Sequence, residues 1–240
     1  MEAGFSARHV SFIETGRARP SKDALLVLAE ALEVPLRERN RLLEAGGFAP
    51  LYRQTSLAAD EMGHIRGLLQ FIVDRHMPYA ALVLDRYSNC LLGNAASSAL
   101  ARAVADPSLV TEHANFLRIA FHPLGARRFI VNWEDTSRHL LGRAERELGV
   151  RPDDEPAMTL LRELHDLAGP LERPRHAASV APGDVLLPIH FRRDDLDVRI
   201  FSAIMTLGTP QDVTLQELRI ETFFPADEVS ERNWSRFLSS

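Results

Sequence analysis

The sequence predicts an α+β protein, with a wholly helical N-terminal part followed by a larger part built on an antiparallel sheet with covering helices. Three observations carry this. Helix-period apolar patterns with start and stop signals fill the first third of the chain. Two short apolar runs, 79–84 and 89–92, flank the polar turn Asp85-Arg86-Tyr87-Ser88 and read as a β-hairpin. Three more strand-like runs, 185–192, 198–207 and 215–224, follow a stretch of helical pattern.

In chain order, Ser6 N-caps a helix that runs to about Glu14 and stops at Thr15-Gly16. Ser21 caps the next, with Asp23 in its first turn and Leu25, Leu28, Ala29 and Leu32 on one face. Pro35 suits the first turn of a third helix, which continues through Leu42 and Leu43 to Gly46-Gly47. A longer helix over 57–75 has Ile65, Leu68, Leu69, Ile72 and Val73 as its apolar stripe. A domain boundary is expected near 49–55, dividing the chain into 1–53 and 54–240. After the hairpin, helices are expected at 94–105, 115–121, 130–148 and 157–168. The Pro- and Gly-rich stretch 169–184 is expected to be a long loop. The run Val198 to Leu207 is mostly apolar and is expected to be central in the sheet.

Composition narrows the function classes. A chain of 240 residues that is 45% hydrophobic can bury a real core as one or two domains. The net charge of −5 gives no global basic field for nucleic acid. Residues 1–53 hold eight Lys and Arg against seven Asp and Glu, and the remainder twenty against twenty-six. Only the N-terminal part therefore tolerates a phosphate backbone. The single cysteine, Cys90, lies in an apolar run and reads as a buried, inert thiol rather than a nucleophile. No apolar run approaches the ~20 residues needed to span a bilayer, and a cytoplasmic location is expected. Nucleophile-elbow, P-loop, HExxH and GxGxxG motifs are all missing, and the nine histidines are scattered. No catalysis, metal or cofactor is expected.

The segment FSARHVSFIETGRARPSKDALLVLAEAL resembles the XRE-type helix-turn-helix regulators. Its Gly4, the helix from Ser6, Glu14-Thr15-Gly16, Pro20-Ser21 and the helix from Ser21 stand in that family's order. The resemblance implies that Ser6, Ala7, Arg8 and Ser11 face base edges in the major groove, with Arg8 able to pair with guanine. It implies phosphate contacts from Thr15, Arg17 and Arg19. A complete domain of that family has two further helices before the turn, so this one is expected to be partial, N-terminally truncated. The apolar side of Val10, Phe12 and Ile13 is then expected to pair with a second chain or be disordered.

The motifs LRERNRLLEAGGFAP, NFLRIAFHPLGARRFIVNWEDTSRHLL and FSAIMTLGTPQDVTLQELRIETFFPAD resemble the MmyB-like ligand-binding domain that follows such helix-turn-helix domains. This implies a PAS-like fold, in keeping with two strands, several helices and three strands. It also implies a pocket for an apolar small molecule, a fatty acid being the form best associated with the family.

A cavity between helices and sheet would be lined from residues such as Phe116, Leu117 and Phe121 on one helix, and Trp133, Ser137 and Leu140 on the next. Phe191 and Phe201 would contribute from strands. Each is also a plausible core residue. Arg118, Arg127, Arg128, Arg138 and His139 are candidate partners for a carboxylate head group, because a guanidinium offers a forked donor. Asn115 reads as an N-cap, and GTPQDVTLQE as a tight turn leading into a strand, in which Gln211 and Asp212 could cap or contact a partner. The function expected is a ligand-responsive, DNA-binding homodimer. The alternative is a stand-alone ligand-binding or dimerisation module without DNA-binding competence.

Overall fold

The computed structural model describes residues 6–111, 114–149, 153–169, 186–194 and 196–239. The stretch 170–184, expected to be a loop, lies outside them, as do Gly4 and Val185. In order, the elements are α1 (Ala7–Glu14), α2 (Lys22–Ala31), α3 (Leu36–Ala45), α4 (Gly63–Asp74), β1 (Ala81–Leu84), β2 (Cys90–Gly93), α5 (Ala95–Val104), α6 (Phe116–Phe121), α7 (Trp133–Leu148), α8 (Glu155–Ala168), β3 (Ile189–Arg193), β4 (Leu196–Met205), α9 (Val213–Glu217), β5 (Arg219–Pro225) and α10 (Glu228–Ser239). Short 3-10 turns occupy Asp60–Met62, Pro107–Leu109 and Ala126–Phe129. The chain divides into two compact units. One comprises Met1–Gly63 with Leu207–Glu217, and the other His64–Thr206 with Leu218–Ser240.

In the first unit, the helix starts lie where hydroxyl caps place them. The Ser6 side chain accepts from the His9 amide and that of Ser21 from the Ala24 amide. Ala24, Ala29, Leu36, Leu43, Leu57, Met62 and Val213 are buried. Leu32, expected on the buried stripe of α2, is instead 74% exposed. It is the C-cap, beyond the last turn, and the chain reverses at Glu33 with φ of 51°. Asn40 of α3 secures the following segment: its Oδ1 accepts from the Leu51 and Tyr52 amides, and its Nδ2 donates to the Tyr52 carbonyl. The α1 helix has no buried residue.

The second unit is a five-stranded sheet in the order β2-β1-β5-β4-β3 with every pairing antiparallel. With helices α5 to α8 between its second and third strands, this is the PAS-like architecture that the element order implied. The α4 helix buries Leu69 and Val73. Just beyond it, His76 packs edge-on to Phe224 and hydrogen-bonds the Phe223 carbonyl.

Several elements differ from expectation: α4 starts at Gly63 rather than 57, after a 3-10 turn, and the central strand is β5 rather than the 198–207 run. Residues 215–217 are helical rather than extended, because Asp212 accepts from the Thr214 amide and starts the turn of α9. The α7 helix begins at Trp133, not 130. Asn132, which could have capped it, spends its side chain on β3, donating to the Pro188 carbonyl and accepting from the His190 amide. The α10 helix was not expected at all. The Asp227 side chain accepts from the Ser230 amide at its start, and Trp234 is buried with its Nε1 donating to the Pro78 carbonyl.

The least expected feature of the sheet is a carboxylate inside it. Glu221 on β5 is 1% exposed and takes a forked pair of hydrogen bonds from Arg143 of α7, at 3.0 and 2.8 Å. Burial works against the Arg143 charge, but Glu221 and Glu147 outweigh it and hold the guanidinium pKa above its ordinary value. Removing one partner strands the other in the interior. Arg143→Ala is expected to lower the unfolding free energy by about 3–5 kcal/mol, whereas Arg143→Met with Glu221→Leu restores most of it. Urea denaturation of both variants checks this.

Candidate functional site

The sheet and the helices that cover it line a partly open cavity of about 340 Å3. Alternation along each strand decides which residues reach it. Leu82 of β1, Ile189 and Phe191 of β3, Ile200 of β4 and Phe223 of β5 form the floor, with β2 along one side. The roof is Leu100, Ala101 and Val104 of α5, Phe116, Ile119 and Ala120 of α6, and Leu140 of α7. Ala126 and Ile130 close the space between α6 and α7. Ser98, Val110 and Thr111 stand at the rim, where Ser98 and Thr111 are exposed.

Close backbone approach makes this roof possible. A Cβ on Gly93 would stand 2.6 Å from the Ser97 Oγ, so α5 seats against β2 only over a glycine. A Cβ on Gly125 would meet the Ile119 carbonyl oxygen at 2.0 Å, which fixes a glycine in the turn between α6 and α7. Two buried asparagines then lock the helix starts. Asn94 caps α5 through the Ser97 amide, accepts from the Ala81 amide, and donates to the Val73 and Tyr79 carbonyls. Asn115 caps α6 as expected, and its amide donates to the Tyr87 carbonyl and the Asn89 side chain.

Among the described residues, no Asp, Glu, Lys or Arg lines the cavity. Its inner polar groups are few and already committed: the Ser97 hydroxyl donates to the Asn94 carbonyl at 2.7 Å. The Cys90 thiol lines the wall, and burial, helped by the Asp85 and Glu221 charges, pushes its pKa up to about 11. Among the described residues, the interior thus has no charged side chain to neutralise an ion. It can hold an apolar body, with any charged group left at the rim.

Of the residues proposed from sequence to touch ligand, Phe116, Leu140 and Phe191 line the cavity. Phe121 is buried beneath them, edge-on to Trp133 at 5.2 Å in the core between α6, α7 and α8. Arg127 lies over the Trp133 ring. Ser137 is fully buried, with its hydroxyl donating to the Glu134 carbonyl. Phe201 stacks on Phe224 at 5.4 Å, one residue out of phase with cavity-lining Ile200.

Neither Arg118 nor Arg138 reaches the cavity; they pair with Glu163 and Asp135. Arg127 donates to the Leu167 carbonyl, Arg128 covers the Phe129 ring, and His139 is exposed. The α5 wall was missed, because leucine, alanine and valine on a helix face give no sign that they face a void rather than a core.

In the first unit, Ser6, Ala7, Arg8 and Ser11 are exposed on or beside α1, and Thr15, Arg17 and Arg19 are exposed just after it. Arg8 lies over the Phe12 ring, and the Thr15 hydroxyl donates to the Ser11 carbonyl. Val10, Phe12 and Ile13 are half-buried. Among the described residues, no three His, Cys, Asp or Glu side chains gather to hold a metal, and no helix is long and apolar enough to cross a membrane.

A five-stranded antiparallel sheet roofed by helices over an apolar, uncharged cavity is a small-molecule-binding domain in its architecture. Residues 65–236 match the MmyB-like transcription regulator ligand binding domain, and the chain belongs to that family. No curated protein matches the chain.

Because the chain has one cysteine, the cavity wall has a built-in reporter. Alkylation of Cys90 by iodoacetamide should titrate with a midpoint near 11, against the ~8.5 of a free thiol. Mass spectrometry across a pH series reads this; a midpoint in the ordinary range would contradict the burial of the wall.

Proposed function

We propose that the protein is a ligand-responsive, DNA-binding transcription regulator whose cavity takes an apolar small molecule of fatty-acid type. The observation that carries this is the uncharged cavity within a domain of a transcription-regulator family. An acyl chain suits such walls because its methylenes gain from leaving water while it asks for no internal partner. Its carboxylate would stay at the rim near Ser98 and Thr111, in contact with water. Phe116, Leu140 and Phe191 grip the chain, and Leu82, Leu100, Ile200 and Phe223 complete the contact. The protein acts by binding, not by catalysis, and without a cofactor.

Residues 1–53 supply the XRE-type helix-turn-helix part and 54–240 the ligand-binding part. Arg8, with Ser6, Ala7 and Ser11, reads bases from the start of α1, while Thr15, Arg17 and Arg19 hold phosphates. The regulator works in the cytoplasm as a homodimer on DNA. Ligand changes operator affinity only if it binds two states of the protein unequally.

The test is native mass spectrometry of the purified chain, followed by denaturing extraction and identification of what it carries. An acyl compound released from the native protein is the expected result. Leu100→Trp, which puts an indole into the roof, should abolish its uptake with the circular dichroism spectrum unchanged. Selection from a random duplex library is expected to yield a sequence whose affinity depends on the extracted compound and falls in Arg8→Ala. No DNA selected above background would favour the stand-alone binding module, and equal affinity with and without the compound would remove the ligand response.

A further inference from the structure

The connection between β4 and β5 does not stay with the sheet. Leu207–Glu217 belongs to the helical unit, although the strands on either side of it belong to the other. Within that unit it makes a dense set of polar contacts. The α3 helix starts after Pro35, which has no side-chain oxygen to cap it. The cap comes from the connection instead: the Leu36 amide donates to Gln216 Oε1 at 2.6 Å, across 180 residues of sequence. The next residue, Arg37, forms a forked pair with Glu217 at 2.6 and 2.8 Å and also donates to Gln54. Asp212 accepts from the Thr55 amide, and the Val213 amide donates to the Arg53 carbonyl.

The two ends of this segment are fixed by the ladder between β4 and β5. That ladder runs from Ile200 opposite Pro225 to Met205 opposite Ile220, so the excursion leaves and returns within a residue or two of the last pair. Ile200 and Phe223, which the ladder holds, line the cavity. A ligand packed on these two side chains restrains the ladder. Any change in its twist or fraying moves the two anchor points of the segment that caps α3. A paired ladder holds its ends only ~5 Å apart, so little slack separates the two events.

Resting on the ligand-responsive reading above, we propose that the β4–β5 connection is the element that transmits cavity occupancy to α3, with Gln216 as the cap of that helix and Glu217 as its anchor. Both are positioning residues: they touch neither ligand nor DNA. Their role predicts that α3 responds to ligand only while the connection holds it.

Hydrogen–deuterium exchange on the full chain, with and without dodecanoic acid, tests this. In the native protein, the acid should slow exchange in peptides from β4 and β5 and also in those covering α3. In Gln216→Ala/Glu217→Ala, the slowing in β4 and β5 should persist and that in α3 should be lost. Glu217→Arg alone should also lose it, and Arg37→Glu/Glu217→Arg should recover it through the reversed ion pair. Slowing in the strands of the native protein but never in α3 would overturn the transmission role and leave the ligand reading standing. So would an α3 response that survives the double alanine variant. Slowing nowhere would overturn the acyl-ligand reading, and the inference with it.

Discussion

Everything in the sheet domain is arranged around a carboxylate that must not be left alone. Glu221 lies in the middle of β5, between β1 and β4, on the face the helices cover. An ionised group buried there without a partner would cost several kcal/mol. Arg143 of α7 answers it with a planar fork, and Glu147, one turn on, accepts from the same guanidinium at 2.9 Å. The geometry of a bidentate pair admits little freedom, so α7 is held at one height and one rotation above the sheet. Leu140 comes three residues before Arg143, on the same face of that helix, and Phe223 comes two residues after Glu221 on the same face of the strand. Both line the cavity. The ion pair is outside the site, yet it fixes the separation of two of its walls.

The same economy explains why the cavity carries no charge. Buried or half-buried polar side chains around it are engaged in holding elements: Asn94 and Asn115 at helix starts, the Ser97 hydroxyl on a backbone carbonyl, Asn132 on β3. What remains pointing inward is hydrocarbon, two phenylalanines from the strands and a third from α6, and a thiol held protonated by burial. An interior of this kind discriminates by shape and by exclusion. Burying a charge at its deep end would cost free energy that no charged side chain among the described residues offsets there, whereas a polar group at the rim would stay in water.

Much of the fold was legible because its signals are local. Ser6 and Ser21 start α1 and α2 where hydroxyl caps predict, and the two apolar runs around Asp85–Ser88 became the β1–β2 hairpin. The failures are non-local. The helix expected from 130 starts at Trp133, because Asn132 serves β3; Leu215 to Glu217 read as a strand and fold as α9, whose side chains have partners 180 residues away. The α10 helix carries Trp234, Phe237 and Leu238 at helical spacing, a stripe too short to stand out, with Trp234 as its buried anchor. At the site, aromatic residues drew attention and three of the candidates were placed on the cavity. Of the candidate arginines, Arg118 has its partner Glu163 on another helix, α8, where spacing in the sequence does not show it, whereas Arg138 pairs with Asp135 three residues away on α7.

The α3 helix illustrates a general cost of such long-range dependence. A helix opening on proline gains a preset φ at its start but no capping oxygen, and an uncapped first turn leaves amides without acceptors. Evolution could have met this locally with a serine or aspartate before Leu36. Here Gln216 supplies the acceptor, and Arg37, the following residue, is bound by Glu217. A local cap would have formed as soon as the helix did. A cap borrowed from the segment between two sheet strands lies 180 residues away, so it requires closure of a far longer loop than a local cap does. On the proposed reading, the start of α3 registers the state of the ladder through that borrowed cap, a link that a local serine or aspartate before Leu36 would not provide.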